Sequence, residues 1–302
     1  MQEIQLKKAR WIDFESPDEK QIAKIKTQFG LHPLVAEEFS MPTLRPKAME
    51  YDDCLYLAIH VPLYDVDNKT TYPAEVDILL TDSTLITSHD HEIYQLKEFV
   101  NALGTNPEKK AVFEDRTPGF ILHYIIEMLF ESCFPKLDHI AKKLDYIEDE
   151  IFVGHEKEMV VEISIVKRDI LNFRRTMKPQ RSVIESLAQR NFRLIEKDLQ
   201  PYFQDLIGTN IRIWNNLESL KETIESLEET NNSLLSNKLD LTMKVLTIFS
   251  AIMLPMTVYS NILAMSASIP FGNHPFGFWI HMGIMFMISL FTISMFKLKK
   301  WL

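Results

Sequence analysis

The spacing of apolar and polar positions changes twice along the chain. In residues 1–115 short apolar runs alternate with polar segments. Leu55 to Pro62 and Val76 to Leu80 read as strands, Leu85 to Ser88 follows as a third, and polar Asp65 to Tyr72 turns between the first two. Pro17 to Phe29 and Pro33 to Phe39 carry helical spacing, so this part is mixed α/β. From Pro118 onward the period is helical almost throughout. Pro201 suits the first turn of a helix, where its missing N–H costs nothing, and the next proline is Pro255. One long helix is therefore expected from Pro201 onward. Ile213, Leu217, Leu220, Ile224, Leu227, Leu234 and Leu241 mark an apolar seam at heptad spacing along it, interrupted by Asn231 and Lys238. That spacing predicts a coiled coil, and hence an oligomer.

The second change falls near residue 244. Val245 to Met265 and Phe276 to Phe296 are two runs of 21 residues without Asp, Glu, Lys or Arg. Each can cross a hydrocarbon core of about 30 Å as a helix. The competing reading is a pair of core helices in a soluble protein. Ten residues, Ser266 to Pro275, connect the runs, so they form a hairpin. Lys244 precedes the first; Lys297, Lys299 and Lys300 follow the second, and the connection has no basic residue. The positive-inside rule then puts both termini in the cytoplasm. The chain divides into an α/β domain (1–115), a helical domain with its stalk helix (116–244) and a two-span domain with a basic tail (245–302).

The first span is patterned. Asp240, Met243, Thr247, Ser250, Leu254, Thr257 and Asn261 step by three and four residues and share one helical face. Ser, Thr and Asn there either pack against neighbouring helices or line a wet lumen when several copies assemble. In a lumen their oxygens suit hard cations, and Met243 and Leu254 form apolar rings able to gate by dewetting. The one ionisable group inside either span is His281, so a proton-coupled carrier lacks its usual carboxylate.

Composition narrows the classes further. A net charge of −9 gives no dense basic stripe for a nucleic-acid polymer. Cys54 and Cys133 lie far apart and fit a reducing compartment; the first residues, MQEIQLKKARWIDF, carry no secretory apolar stretch. No P-loop, nucleophile or metal-hydrolase motif is present, so an enzyme is not expected, nor an organic cofactor. Lys142 to Glu158 is rich in acid, as a solvated helix face or as a surface that gathers cations.

Taken together these segments resemble the CorA family of two-span divalent-cation channels. The resemblance rests on Phe29-Gly30-Leu31-His32-Pro33-Leu34, Arg45-Pro46-Lys47 and Glu50-Tyr51-Asp52-Asp53. It continues through Pro201-Tyr202-Phe203-Gln204-Asp205, Met243-Lys244-Val245-Leu246-Thr247, Leu254-Pro255-Met256-Thr257 and the tail Phe296 to Leu302. It implies an α+β cytoplasmic domain, long stalk helices and a transmembrane hairpin, assembled as a funnel-shaped homopentamer in the plasma (inner) membrane. It also implies passage of Mg²⁺ or related divalent ions, a regulatory Mg²⁺ held between subunits at Asp205, and pore positions at Asp240, Met243 and Leu254.

One departure stands out. Where the family carries Gly-Met-Asn at the outer end of the first span, this chain has Ala264-Met265-Ser266, and its connecting loop has no acidic residue. Weaker selectivity follows, with Asn261 able to replace the lost amide. A second function remains open: a membrane effector gated by a nucleotide messenger, as in CorA-like proteins encoded with type III CRISPR systems. It would need a phosphate cradle, and no Gly-rich loop is present. Lys167, Arg168, Arg174 and Arg175 could bind phosphate, but helix-surface charge explains them equally. A non-conducting structural relic is the third.

Overall fold

A computed structural model describes residues 1–39, 41–43, 45–265 and 274–299. The chain forms two compact units, Met1–Glu228 and Glu229–Leu302. The first unit is built on a six-stranded sheet. Its strands are β1 (Gln2–Gln5), β2 (Arg10–Glu15), β3 (Lys47–Glu50), β4 (Leu55–Asp65), β5 (Thr70–Leu80) and β6 (Thr84–His89), in the order β1-β2-β6-β5-β4-β3. Only β2 and β6 pair in parallel; the other neighbours are antiparallel. The expected strands are all present, and β4 and β5 join through a hairpin tip at residues 66–69.

Leu55 to Pro62 of β4 are all buried, because helices cover both faces of the sheet. On one face α1 (Glu19–Gln28) and α2 (Pro33–Glu38) lay Ile25 and Val35 over Ile12, Phe14, Tyr56, Ala58, Leu79 and Ile86. Asp18 starts α1 with a capping box, its carboxylate accepting from the Gln21 N–H. The other face carries α3 (Tyr94–Thr105), α5 (Pro118–Glu131) and α7 (Glu156–Met177). There Trp11 packs at a tilt against Phe99, ring centroids 5.1 Å apart, and buried Asp169 of α7 accepts the Thr71 N–H at 2.5 Å. Helices α4 (Pro107–Phe113), α6 (Cys133–Val153) and α8 (Gln180–Gln189) complete the unit, and Gly154 closes α6 at φ +108° before α7. Most acidic side chains of Lys142 to Glu158 are solvent-exposed.

The long helix, α9 (Gln200–Ala264), begins within one residue of the expected start. Its seam corrects an expectation. Ile213, Leu217, Ile224 and Leu227 are buried within the single chain. Arg174 and Lys167 of α7 fasten that stretch by ion pairs to Glu218 at 2.6 Å and Glu228 at 2.5 Å. A stripe at three-and-four spacing specifies an apolar face, not the partner that covers it, and here the partner is the same chain. The oligomer therefore cannot be argued from that segment.

β2 also buries a charged network. Trp11 Nε1 donates to Thr87 Oγ1 at 3.0 Å, and the Thr87 hydroxyl donates to Asp13. His89 Nε2 lies 3.4 Å from Asp13, while its Nδ1 faces the His91 carbonyl at 2.6 Å. Both ring nitrogens thus face acceptors, which favours the doubly protonated ring. Burial pushes the His89 pKa down, but the Asp13 hydrogen bond and charge, with the His91 carbonyl, outweigh it and leave it raised. A raised folded pKa stabilises fully below the unfolded value of about 6.5 and loses that contribution as pH climbs through the folded value. The melting temperature of the full chain in detergent should fall between pH 6 and pH 8, and His89→Gln should flatten the fall. Asp13→Asn should cost about 3–5 kcal/mol, as breaking one side of a buried pair does. An equal pH slope in wild type and His89→Gln would contradict this assignment.

Candidate ion-conduction face

α9 carries both sites expected from the sequence. In the second unit it pairs with α10 (Gly277–Leu298). Only 0 % and 6 % of the apolar windows of the two helices are buried in the chain, so they are not core helices of a soluble fold. Ile248, Ala251, Ile252, Pro255, Met256, Tyr259 and Leu263 are partly covered. Ser289 Oγ meets Met256 Sδ at 3.6 Å, and Tyr259 Oη meets His281 Nδ1 at 2.8 Å. The α10 side contributes Gly277, His281, Met285, Ile288, Thr292 and Phe296, again at helical spacing. His281 is therefore a packed residue holding the hairpin in register.

The predicted stripe lies on the opposite side. Asp240, Met243, Thr247, Ser250, Leu254, Thr257 and Asn261 are all exposed in the single chain, Met243 at 61 % and Leu254 at 66 %. At 3.6 residues per turn, its mean direction is about 150° from the partly covered face. The first span thus presents a polar stripe to something other than its own hairpin partner.

The hydroxyls on that stripe have a defined polarity. Thr247 Oγ1 donates to the Met243 carbonyl at 2.7 Å, and Thr257 Oγ1 donates to Met253 at 2.9 Å. With its proton committed to the helix, each hydroxyl offers its lone pairs outward, as an acceptor. Acceptor oxygens suit a hydrated cation rather than an anion. Pro255 falls off the stripe, where its missing N–H leaves the Ala251 carbonyl without its helical donor.

α9 runs to Ala264, and the Met265 N–H still bonds the Asn261 carbonyl at 3.1 Å. Ala264 and Met265 are exposed; Ser266, the third predicted filter position, lies outside the described residues, as does Lys300.

Asp205 is exposed near the start of α9 in the first unit. Sequence reading missed its neighbours. Glu127, on α5, has its pKa raised by burial first and then by the charges of Asp205 and Glu131. Burial lowers the pKa of His123, against the Tyr202 backbone hydrogen bond and the Asp205 charge. Glu131 is partly neutralised by Arg212 at 3.4 Å. Among the described residues no three His, Cys, Asp or Glu side chains of one chain gather so as to hold a metal.

The cations considered for a phosphate site are largely occupied. Arg174 and Lys167 hold the α9 carboxylates already described, and Arg168 donates to the Asn68 carbonyl at 2.9 Å. Arg175 lines a separate cavity beside Glu75 and Asp90.

A mixed six-stranded domain, one long helix and an apolar hairpin with a polar outer stripe define a two-span membrane protein of channel type. A family profile described as "CorA-like Mg2+ transporter protein" matches residues 7–300. The chain belongs to this family. It is 26 % identical over 285 residues to the cobalt/magnesium transport protein CorA of Thermotoga maritima, covering 93 % of this chain and 80 % of that protein. It is 25 % identical over 296 residues to the protein of the same name from Methanocaldococcus jannaschii, covering 97 % and 91 %. The solved structure of the complete CorA magnesium transporter from Methanocaldococcus jannaschii superposes with a TM-score of 0.87 at 22 % identity, covering 100 % of this chain and 95 % of that one. These comparisons give no support to the messenger-gated effector.

Proposed function

We propose that this chain is a divalent-cation channel that carries Mg²⁺, or a related ion such as Co²⁺, through a pore lined by α9 at the centre of a homopentamer. The observation that carries the reading is the exposed stripe from Asp240 to Asn261, set opposite the face packed on α10. One hairpin cannot enclose a path, and hydroxyl and amide acceptors left facing lipid would be costly. Several copies with their stripes turned inward solve both problems. Relatives named as cobalt/magnesium transport proteins support the choice of ion.

The topology follows from charge. Lys244 and the lysines after the second span stay in the cytoplasm, the first unit lies on that side, and the membrane is the plasma (inner) membrane. Flux follows voltage and concentration, with no catalytic step. The reading predicts Mg²⁺ uptake by proteoliposomes of the purified chain; uptake no faster than into empty vesicles contradicts it.

Asp205 serves as a ligand for a regulatory Mg²⁺ between neighbouring subunits, the role the family resemblance assigns it. The raised pKa of Glu127 supports this role, since negative charge already crowds the surface around Asp205. A divalent ion relieves such crowding and favours the close, shut arrangement. In limited proteolysis, Mg²⁺ should protect the wild type at concentrations about tenfold lower than Asp205→Ala, a loss of about 1.4 kcal/mol of binding. Equal protection would make Asp205 a plain surface acid.

A further inference from the structure

Away from the stripe and from Asp205, the first unit holds a cavity of about 360 Å³ lined by Lys178, Arg181, Asn210, Ile211, Trp214 and Asn215. We propose that it is a binding site for a small organic anion, one with a phosphate or carboxylate head and a flat apolar body. Four observations lead there.

Asn210 is only 3 % exposed, and its Nδ2 has no hydrogen-bond partner among the described residues. The amide nitrogen itself is closed to solvent, so Asn210 forms a buried polar floor under the cavity rather than a donor that a bound group reaches. The lining is cationic in a chain whose net charge is −9. Lys178, the cap residue of α7, makes no ion pair among the described residues; Arg181 shares its Nε with Glu185 at 2.7 Å, leaving its terminal nitrogens for a second partner. None of the six lining residues is acidic, so a cation has nothing to hold it there.

The third observation is the indole. Trp214 lines the cavity with Lys178 Nζ 6.0 Å from its ring centroid and Arg174 4.9 Å from it. Arg174 is already spent on Glu218. A flat ring held among cations is a platform for an aromatic or unsaturated anion. The fourth is size. About 360 Å³ falls at the small end of ligand pockets, enough for a head group and one ring.

The site lies between α7–α8 and α9, and its assignment is independent of ion conduction. The test uses the full chain in detergent, in Mg²⁺-free buffer, with tryptophan fluorescence as the readout. Phenyl phosphate supplies head and body, inorganic phosphate the head alone, and phenol the body alone. Phenyl phosphate should give a saturable change that disappears in Trp214→Phe. Phosphate should compete with it at about tenfold higher concentration, and phenol should not compete. Lys178→Gln and Arg181→Gln, both at exposed positions, should each weaken binding about tenfold. The proposal is overturned by the absence of a saturable signal, by a signal that survives in Trp214→Phe, by phenol binding as well as phenyl phosphate, or by affinity indifferent to Lys178→Gln.

Discussion

Replacing Met243 and Leu254 together with serine is expected to raise basal cation flux in proteoliposomes about tenfold or more. Both side chains stand well exposed on the stripe, so in an assembly with stripes turned inward each forms an apolar ring. Such a ring opposes conduction because a hydrated ion must either shed water or wet a surface that water avoids. Serine at the same place is small and polar, and the ring wets. Lowering the barrier by about 1.4 kcal/mol is enough for a tenfold rise. The two rings lie eleven residues apart, about 16 Å along a helix, so they should act as separate barriers in series. Either substitution alone then gives part of the effect and the double variant gives more. Phe249, also exposed but off the stripe, is the control: Phe249→Ser should leave flux unchanged. A rise at Phe249 with none at Met243 or Leu254 would reverse the assignment of the lumen face.

The second large effect concerns selectivity. Mg²⁺ loses its water reluctantly, so a filter that prefers it must hold the hydrated ion through several well-placed oxygens. In place of Gly-Met-Asn this chain offers Ala264-Met265-Ser266, and residues 266–275 include no carboxylate. A hydroxyl reaches less far than an amide carbonyl. The missing acids also remove a local enrichment of cations that charged clefts can raise by about tenfold or more. Discrimination of Mg²⁺ from Ca²⁺ and K⁺ should therefore be weak in the natural chain. The pair Ala264→Gly and Ser266→Asn should sharpen it by about tenfold when each ion is offered separately. Asn261, the stripe's outermost amide, is the residue to substitute next: Asn261→Ala should lower what discrimination there is. Strong Mg²⁺ preference in the natural chain, lost on Asn261→Ala, would move the filter one turn inward.

Much of this was legible in the sequence, for reasons that differ by element. β4 announced itself because helices cover both sheet faces and its apolar run is nearly unbroken, and the shorter apolar stretches that end β5 and open β6 read the same way. β1 and β3 did not: each is four residues long, and of Gln2–Gln5 only Ile4 is buried. β2 was hidden by Asp13, a charge in the middle of a buried strand whose partners, Thr87 and His89, come from β6, more than seventy residues away. The stripe on α9 was readable from spacing alone, because polar residues stand out in an uncharged span. Its opposite face was not, since Ile248, Ile252 and Leu263 look like any lipid-facing residues until α10 is placed. The seam from Ile213 to Leu227 showed the converse weakness: the stripe was real, but its cover was α7 of the same chain. Asn210 could not have been found at all, because burial of a polar residue on a helix leaves no mark in the spacing.

The proposed lumen face runs from Asp240 to Asn261. The chain is well suited to a direct test by thiol modification. Its own cysteines are both buried, and burial pushes their pKa values up to about 11 for Cys54 and about 12 for Cys133, so neither offers thiolate near neutral pH. Single cysteines at Ser250, Thr257, Ile252 and Phe249 can then be treated with a small cationic methanethiosulfonate while Mg²⁺ flux is followed. Modification at 250 and 257 should cut flux by most of its value, and modification at 252 and 249 should leave it unchanged. Block at 252 or 249, with 250 and 257 inert, would contradict it.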